Sequence, residues 1–407
     1  MDFFKVVSAE EAVKLVNESI KSNIGYEKVN ILESIDRICC EDIRALVNIP
    51  EFKRSTVDGY AVSSKDTFGA SEAMPAILEY KGEVLMGNVP TSDIGLGQCL
   101  YVPTGGMLPD NADSVIMIEY TDKLDEDTVL AYSPAAKGDN VISIGEDVRT
   151  GDIIVKKGQK LRPYEIGVLA GLGISQVLVY RKLKAAVIST GDELVSCNEN
   201  ISLGEVRDIN TYLLCSLLLK DGMEPVSYGI IRDDYNLLKE TVDKASRECD
   251  MVLISGGSSV GKKDQTLKVL NSYEDGEVLA HGISIKPGKP TIIGKRKDKV
   301  IMGLPGHPLA CSVIYQAIVK RVMFNLMSYE EKVYPINAVI SINYHKAKGR
   351  EEYLPVALEK SEKGLIANPV FGKSGLISVF SKAYGYVRIA KDIEGLREGQ
   401  MVEVYVL

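Results

Sequence analysis

The sequence predicts a multidomain protein that combines a central α/β domain, built on a parallel sheet, with β-rich domains and a helical and extended N-terminal domain. A chain of 407 residues is too long for one hydrophobic core. Between residues 184 and 326, apolar runs of strand length alternate with helical segments, which is typical of a parallel sheet covered by helices. Short alternating runs separated by glycine turns occupy residues 51–132 and 334–407, and this pattern predicts β structure.

The composition, with 45% hydrophobic and 26% charged residues, is ordinary for a globular protein and argues against several classes of function. A net charge of −8 disfavours general binding of nucleic acid or anionic membranes, so an anionic ligand must be bound by a local cluster of cations. The seven cysteines contain no C-x-x-C pair and the three histidines have no metal-ligand spacing, which argues against a zinc site and a Ser-His-Asp triad. We find no signal-peptide pattern and no apolar run of membrane-spanning length, so we expect a cytoplasmic protein.

The first domain is predicted to be discontinuous. Residues 8–11 form a capping box that opens a helix, and residues 163–172 are predicted as a second short helix with proline at its start. The polar stretch before this second helix has no self-contained pattern, so we expect it to pack with the N-terminal helix, which makes the β-rich domain an insertion. The predicted boundaries are 1–45 with 140–180 for the helical and extended domain, 46–139 for the inserted β-rich domain, 181–328 for the α/β domain, and 329–407 for a small C-terminal β-barrel domain.

The central domain is predicted to carry a ligand site at one edge of its sheet. Ligands of open parallel sheets bind beyond the carboxyl ends of the strands. Glycine, proline and polar residues follow each predicted strand, and four such segments favour one shared site. The predicted strands are 185–189, 226–231, 251–255 and 299–304, and the predicted helices are 210–220, 235–248 and 308–326. The segments that follow the strands are Thr190-Gly191-Asp192-Glu193, Arg232-Asp233-Asp234, the glycine-rich loop from Ser255, and Pro305-Gly306-His307-Pro308.

The glycine-rich loop at residues 255–264 is predicted to bind a phosphate or another oxyanion. Its glycines let successive N–H groups converge ahead of a helix N-terminus. The loop fits part of the nucleotide-binding P-loop pattern, but Lys263 stands where a P-loop needs Ser or Thr for Mg²⁺. Asp264 offers a hard oxygen ligand in its place. A glycine-rich turn after a strand is also a common tight connection, so the loop alone does not decide between the two interpretations.

Carboxylates and cations are expected to meet at this edge. The lysines of the proline-stiffened turn Lys286-Pro287-Gly288-Lys289-Pro290 supply positive charge, together with Arg350. Carboxylates suit Mg²⁺, and Mg²⁺ with cations suits a phosphate-bearing substrate. A transition metal would have to bring its own sulfur ligands, because the chain has no cysteine cluster. The carboxylates are Asp192, Glu193, Asp208, Asp233, Asp234 and Asp264, of which Asp208 and Asp234 also suit the role of a helix N-cap.

Eight motifs, spread over nearly the whole chain, together resemble one family. They are Thr56-Val57-Asp58-Gly59-Tyr60-Ala61-Val62, Pro103-Thr104-Gly105-Gly106, Gly145-Glu146-Asp147, Ser189-Thr190-Gly191-Asp192-Glu193-Leu194, Gly229-Ile230-Ile231-Arg232-Asp233-Asp234, Ser255-Gly256-Gly257-Ser258-Ser259-Val260-Gly261, Lys286-Pro287-Gly288-Lys289-Pro290 and Gly303-Leu304-Pro305-Gly306-His307-Pro308. Their order resembles that of the molybdopterin molybdenumtransferases, the molybdenum-insertion family to which the E domain of gephyrin is similar.

This resemblance implies a transferase of molybdenum cofactor biosynthesis, with the α/β domain as its molybdopterin-binding domain. Such an enzyme inserts molybdate into the dithiolene of adenylated molybdopterin with Mg²⁺, and releases AMP. The resemblance also implies an elongated homodimer of four-domain subunits, a transient contact with a molybdopterin adenylyltransferase, and no nucleic-acid or membrane partner. The substrate would lie between the α/β and C-terminal domains of one subunit and the inserted domain of the other.

The resemblance also assigns roles to residues of this sequence. Asp58 and Thr104 would be catalytic across the dimer, and Glu193, Asp233 and Asp264 would be catalytic residues that hold Mg²⁺ and the pyrophosphate. The implied substrate-binding residues are Ser255, Gly256, Gly257, Ser258, Gly261, Pro305 and Gly306 for the pterin and its phosphate, and Lys286, Lys289, Arg350 and Ser374 for molybdate.

The chain departs from the family pattern at three places. Thr56-Val57 stands where Ala-Met is common, His307 stands where Asn is common, and residues 140–144 lack the usual arginines, which puts an anion contact from that segment in doubt. Two further functions stay open, namely a gephyrin-like scaffold that binds partner segments, and an enzyme like a molybdopterin adenylyltransferase or a P-loop kinase. The retained acidic and cationic residues argue against a pure scaffold. The additional domains argue against an adenylyltransferase, and Lys263 against a P-loop kinase.

Overall fold

The computed structural model describes residues 6–21, 24–256, 265–362 and 364–407, and its centre is a six-stranded mixed sheet. Neighbouring strands among the first four in the order below pair in parallel, as predicted, and the last two strands join the sheet through antiparallel pairs. This antiparallel edge was not predicted, because its hairpin turn contains Lys297, with φ +52°, in place of a glycine. The strand order is Glu224–Ile231, Lys184–Thr190, Met251–Ser255, Lys299–Leu304, Ile292–Arg296 and Gly276–His281.

Helices cover both faces of this sheet. Asn210–Lys220 and Tyr235–Glu248 have the predicted bounds, and their buried faces pack on opposite sides of the sheet. One core cluster contains Leu214, Leu253 and Tyr315, and the other contains Leu238 and Ile254. Burial on both faces explains why the central strands are continuous apolar runs instead of alternating ones. A further helix, Gln265–Asn271, follows the glycine-rich loop.

The last helix of the central domain spans Pro308–Leu326, with a π-helical turn at Tyr315–Val319. By length and composition alone this helix could cross a membrane, although Lys320 and Arg321 interrupt its apolar run, as the sequence analysis expects. However, 78% of its apolar window is buried inside the protein, as in the core helix of a globular domain.

The N-terminal part of the chain pairs with the segment that follows the inserted sheet. Ser8 caps the helix Ala9–Ser19 by accepting a hydrogen bond from Glu11 N at 3.1 Å, as the capping box predicts. This helix packs on the long helix of the central domain. The expectation that the segment around the second helix packs with this N-terminal helix was wrong, because the residues on both sides of the second helix pair instead with the strands at residues 26–44 through main-chain hydrogen bonds. The antiparallel pairs are Tyr26–Asn30 with Gln176–Tyr180 and Ile43–Arg44 with Ile153–Val155, and the helix here is Pro163–Gly171.

The intervening β-rich region contains a second six-stranded sheet. Its core consists of two clusters, one around Tyr60 and Leu78 and one around Leu100 and Leu108. A short pair, Arg54–Ser55 with Val141–Ile142, joins the start and end of the region. The strand order is Ser114–Met117, Gly59–Val62, Gln98–Val102, Ala76–Glu83, Thr128–Ala131 and Thr121–Lys123.

The C-terminal region is a closed five-stranded β-barrel, as predicted. The ring closes because Glu351–Ser361 pairs both with Gly364–Pro369 and with Gly385–Ile389. Its other strands are Ile336–Ile340 and Met401–Val406, and a short helix covers Ser378–Lys382. The two-residue strand Ile285–Lys286 of the central domain adds to the barrel by parallel pairing with Glu351 and Glu352. The barrel is therefore bonded directly to the turn that carries the predicted anion-binding lysines.

Candidate active site

A cavity of about 580 Å³, which we call the strand-end cavity, lies at the carboxyl edge of the central sheet. The strand register explains its position. Ser189 pairs with Ser255, Ser255 pairs with Leu304, and Thr190 pairs with Ile231, so all four parallel strands end in one row. The residues after each strand end therefore meet. They include Thr190, Gly191, Glu193, Asp233, Ser255, Gly256, Pro305, Gly306, His307 and Pro308.

The glycine at the start of the loop is required by its contacts. Gly256 has φ +104°, and a Cβ there would lie 2.2 Å from Thr190 O. No other residue could bring the loop so close to the neighbouring strand. Ser255, Gly256, Pro305 and Gly306 thus lie together, as predicted. Gly257, Ser258, Gly261 and Asp264, which were also predicted as site residues, lie outside the described residues.

The floor of the cavity is formed by a side chain that sequence reasoning missed. Asn210 Nδ2 donates to Ser255 Oγ at 2.6 Å and to Gly306 O at 2.8 Å, which ties two strand ends to the helix Asn210–Lys220. In the described part of the chain, Asn210 Oδ1 and Thr190 Oγ1 are buried and have no hydrogen-bond partner. Buried unpaired polar atoms are unfavourable, and they concentrate where a ligand completes the network. The signal that could have identified Asn210 was its place as the first helical residue after Asp208, a predicted site carboxylate and alternative helix cap.

The carboxylates divide into cavity-lining and structural groups. Glu193 and Asp233 line the cavity, and Asp233 N donates to Asp192 Oδ1 at 3.2 Å. Asp208 also lines it, but its Oδ1 accepts from Ser189 Oγ at 3.0 Å and from Thr211 N at 3.1 Å. Asp234 caps the helix Tyr235–Glu248 by accepting from Leu237 N, which confirms the cap interpretation for that residue.

The described donors are compatible with Mg²⁺ but do not form a complete cage. Among the described residues, no group of three His, Cys, Asp or Glu side chains is arranged to hold a metal ion. Glu193 and Asp233 supply the hard oxygen atoms that Mg²⁺ prefers, and Mg²⁺ commonly takes its other ligands from water and substrate phosphates. These two residues therefore fit the ion as one part of its ligand set.

Sulfur is absent from the described lining of the strand-end cavity. Cys311 lies beneath it, and burial raises the pKa of the Cys311 thiol to about 12. This thiol is therefore protonated at neutral pH and is a poor metal ligand. That sulfur ligands for a transition metal come from a substrate stays a prediction.

A second, smaller cavity of about 290 Å³, which we call the cationic cavity, is lined by Lys289, Lys348 and Arg350. The other described residues of its lining are Val6, Ile283, Ser284 and Gly349. No carboxylate is among these residues. The structure thus brings Lys289 and Arg350 together, as predicted, and adds Lys348, which the sequence analysis did not identify.

The other two predicted molybdate residues lie beside these cavities instead of within them. Lys286 Nζ forms an ion pair with Glu352 Oε1 at 2.9 Å, and Glu352 is buried. Ser374 Oγ lies 2.8 Å from His307 Nδ1, and His307 lines the strand-end cavity. Because Lys289 lines the cationic cavity and Pro290 lines the strand-end cavity, the proline-rich turn separates the two.

Asp58 and Thr104 lie in the inserted region and contact each other. Asp58 Oδ1 accepts from Thr104 N at 2.7 Å and from Thr104 Oγ1 at 3.0 Å. Neither residue belongs to the described lining of the strand-end or cationic cavity. Their predicted role across a dimer stays a prediction.

The comparisons with known proteins agree with this geometry. Residues 7–173 match the MoeA N-terminal region (domain I and II), residues 186–324 match a probable molybdopterin binding domain, and residues 337–407 match the MoeA C-terminal region (domain IV). A putative molybdopterin biosynthesis protein of Methanocaldococcus jannaschii is 35% identical over 98% of this chain and 97% of its own length. The chain belongs to the MoeA family.

Two further MoeA-family comparisons cover the whole length. A molybdopterin molybdenumtransferase of Haemophilus influenzae is 33% identical over 98% of each chain. The crystal structure of the MoeA molybdopterin biosynthesis protein from Pyrococcus horikoshii OT3 superposes with a TM-score of 0.86 at 32% identity, over 99% of this chain and 100% of that chain. The resemblance inferred from the motifs is therefore confirmed, and this MoeA-family chain is an enzyme of the transferase class.

Proposed function

We propose that this protein inserts molybdate into adenylated molybdopterin in an Mg²⁺-dependent reaction that releases AMP and forms molybdenum cofactor. The observation that carries the proposal is the pair of adjacent cavities of different charge on the two sides of the Lys289-Pro290 peptide. One offers carboxylates, backbone groups and unpaired polar atoms, and the other offers cations. A substrate with a phosphate-bearing pterin and a separate oxyanion needs both environments.

In the strand-end cavity, the described residues would bind and orient the adenylated pterin. Gly256 and Gly306 bring main-chain groups to the cavity wall, and Asn210 Oδ1 and Thr190 Oγ1 are unpaired. Glu193 and Asp233 would hold Mg²⁺, which would neutralise pyrophosphate oxygens when bound. Asp192 orients the Asp233 main chain through its hydrogen bond to the amide.

In the cationic cavity, Lys289 and Arg350 would bind molybdate. Molybdate is a dianion with four oxygen acceptors, and lysine and arginine provide charge-assisted hydrogen bonds to such groups. Lys286 and Ser374 lie next to the two cavities and would contact the oxyanion as it approaches the pterin. The protein supplies no sulfur at the described site, so the dithiolene of the pterin would ligate the metal.

The proposal includes a homodimer. Asp58 and Thr104 form a hydrogen-bonded pair. Because this pair lies outside the described lining of both cavities of its own subunit, we propose that it acts on the site of a second subunit. We also propose that a molybdopterin adenylyltransferase delivers the substrate and that the reaction takes place in the cytoplasm.

The test combines the purified chain with adenylated molybdopterin, Mg²⁺ and molybdate, and measures AMP release and the activation of a molybdenum-free apoenzyme. We expect both signals, and we expect both to be lost when Mg²⁺ is chelated. Sedimentation of the same sample should give the mass of a dimer. A chain that produces neither AMP nor active cofactor, while it retains peptides from a partner protein, would favour the scaffold function instead.

A further inference from the structure

Lys346 is a buried lysine in the turn that leads to the cationic cavity. It is only 7% exposed, and its ammonium donates to Arg350 O at 2.9 Å and, more weakly, to Ala347 O at 3.4 Å. Within the described ranges it forms no ion pair with a carboxylate. The positive charge of this turn is therefore enclosed by main-chain carbonyl groups.

A buried ammonium without a carboxylate partner is unfavourable unless its donors are used. A hydrophobic side chain at position 346 would avoid this desolvation, so packing alone does not explain the lysine. Unlike a hydrophobic residue, the lysine supplies hydrogen-bond donors, and these bind the main-chain carbonyl groups of the turn. The ammonium thus fixes the backbone of Arg350 relative to the preceding strand.

Main-chain hydrogen bonds to neighbouring segments also fix the position of the turn. Lys346 N donates to Glu394 O at 2.9 Å, Gly349 N donates to Lys391 O at 2.8 Å, and Glu351 N donates to Ser284 O at 2.9 Å. Gly349 has φ +96°, a conformation that other residues rarely adopt. The turn therefore has one defined shape, and this shape directs Lys348 and Arg350 to the cavity that Lys289 lines.

We infer that Lys346 is a positioning residue for oxyanion binding, because it holds the 347–350 turn so that Arg350 lines the cationic cavity opposite Lys289. The inference rests on the proposed function, since it assumes that the cationic cavity binds molybdate. Lys346 itself is not among the residues that line the cavity. Its effect is exerted through the main chain of Arg350.

The experiment measures molybdate binding to the full-length protein by equilibrium dialysis, without any pterin. Lys346→Met keeps the length and apolar stem of the side chain and removes the donors. We expect it to raise the Kd for molybdate about tenfold, as for the loss of hydrogen bonds from a charged group. Lys346→Arg should restore most of the affinity. Lys360→Met, at the exposed far end of the strand Glu351–Ser361 that follows the turn, is the matched control and should bind as the unmodified protein does.

Turnover separates positioning from general damage. Lys346→Met should raise the KM for molybdate and leave both kcat at saturating molybdate and the KM for adenylated molybdopterin unchanged. Gly349→Ala provides a second route to the same turn, because its Cβ would meet no atom within 4 Å but its φ would be strained. We expect the same rise in the Kd from this variant, even if Lys346→Met does not fold.

Arg350→Ala distinguishes the inference from the proposed function. If Arg350→Ala weakens molybdate binding while Lys346→Met and Gly349→Ala do not, the positioning role of Lys346 is wrong and the site stands. If Arg350→Ala also leaves the Kd unchanged, the cationic cavity is not the molybdate site, and the proposal for Lys346 is lost with it.

Discussion

The strand-end cavity and the cationic cavity share the Lys289-Pro290 peptide as a border but are built in different ways. Nearly all of the described lining of the first comes from one domain, between Thr190 and Pro308, with Gly375 as the contribution of the barrel. The described lining of the second comes from three distant parts of the chain, namely Val6, residues 283–289 and residues 348–350. The described lining of the first contains carboxylates, whereas that of the second contains none.

Under the proposed function, this difference separates the binding of the pterin pyrophosphate from the binding of molybdate. The register of strands within a single sheet sets how Glu193, Asp233 and Gly256 are placed relative to one another, so the strand-end cavity depends on the fold of one domain. The cationic cavity exists only when the barrel is docked on the turn at residues 283–290. Substitutions in the strand-end cavity should therefore affect AMP release. Substitutions around the turn at residues 283–290 should affect the binding of molybdate. The following predictions test this separation.

The largest effect is expected from Glu193→Gln. The change keeps the size of the side chain and removes the charge at the strand-end cavity, so Mg²⁺ loses one of its proposed ligands. AMP release should fall about a hundredfold, as expected when an interaction with a charged group is removed. Molybdate binding in equilibrium dialysis should be unchanged. Equal losses in both measurements would show that the two cavities act as one, and Glu199→Gln on the exposed connection nearby is the matched control.

A smaller effect is expected from Glu352→Gln. The buried Glu352 carboxylate accepts from Lys286 Nζ at 2.9 Å and from Tyr344 OH at 2.6 Å, so it fixes the lysine from the barrel side. Its neutral analogue should raise the KM for molybdate about tenfold and leave the KM for adenylated molybdopterin unchanged. Tyr344→Phe serves as a control that keeps the ion pair. A changed KM for adenylated molybdopterin with an unchanged KM for molybdate would contradict the role of Lys286 in molybdate binding.

No effect on either cavity is expected from Asp250→Asn, which should affect stability alone. Burial by itself would raise the pKa of the Asp250 carboxyl, but hydrogen bonds from Arg181 and from the Lys184 amide lower it below its ordinary value. Breaking this largely buried pair should reduce the free energy of unfolding by about 3 kcal/mol at neutral pH. Kinetic constants should stay the same, and a change in them would contradict the independence of the two cavities from this edge of the sheet.

The pH dependence of the same variant follows from the direction of the shift. A carboxyl whose pKa is lowered by folding stabilises the protein fully above its unfolded pKa, and the contribution is lost as the pH falls through the folded-state pKa. The difference in unfolding free energy between the unmodified protein and Asp250→Asn should therefore shrink below about pH 4. Urea unfolding at a series of pH values measures this difference in unfolding free energy. A difference that grows as the pH falls would contradict a lowered pKa of Asp250 in the folded protein.

The central domain could be predicted from the sequence because its signals are local. Its strands are apolar runs buried on both faces, and its helices have clear start signals. The predicted bounds of Asn210–Lys220 and Tyr235–Glu248 therefore agree with the observed ones. The antiparallel edge was missed because a two-residue turn without glycine leaves no composition signal. The position of the helix Ala9–Ser19 on the central domain was missed because an amphipathic face does not specify which surface covers it.

The residues of the candidate site that follow strand ends could be predicted from the sequence, whereas those placed by packing could not. Glu193, Asp233, Ser255 and Gly256 follow strand ends, and strand ends of a parallel sheet meet, so their convergence followed from order alone. Asn210 was missed because its role depends on two hydrogen bonds across the sheet edge. Lys346 and Glu352 were missed because their burial is created by packing of the barrel and has no counterpart in the local sequence.

The parallel pairing of Ile285 and Lys286 with Glu351 and Glu352 also limits how such proteins can recombine. A chimaera that takes its barrel from a relative would keep the main-chain bonds of this pairing, since these do not depend on side chains. It would nevertheless place a foreign residue opposite Lys286. A crossover before residue 283, in contrast to one at the border of the barrel, would transfer the turn and its counterion together and so preserve the choice of oxyanion.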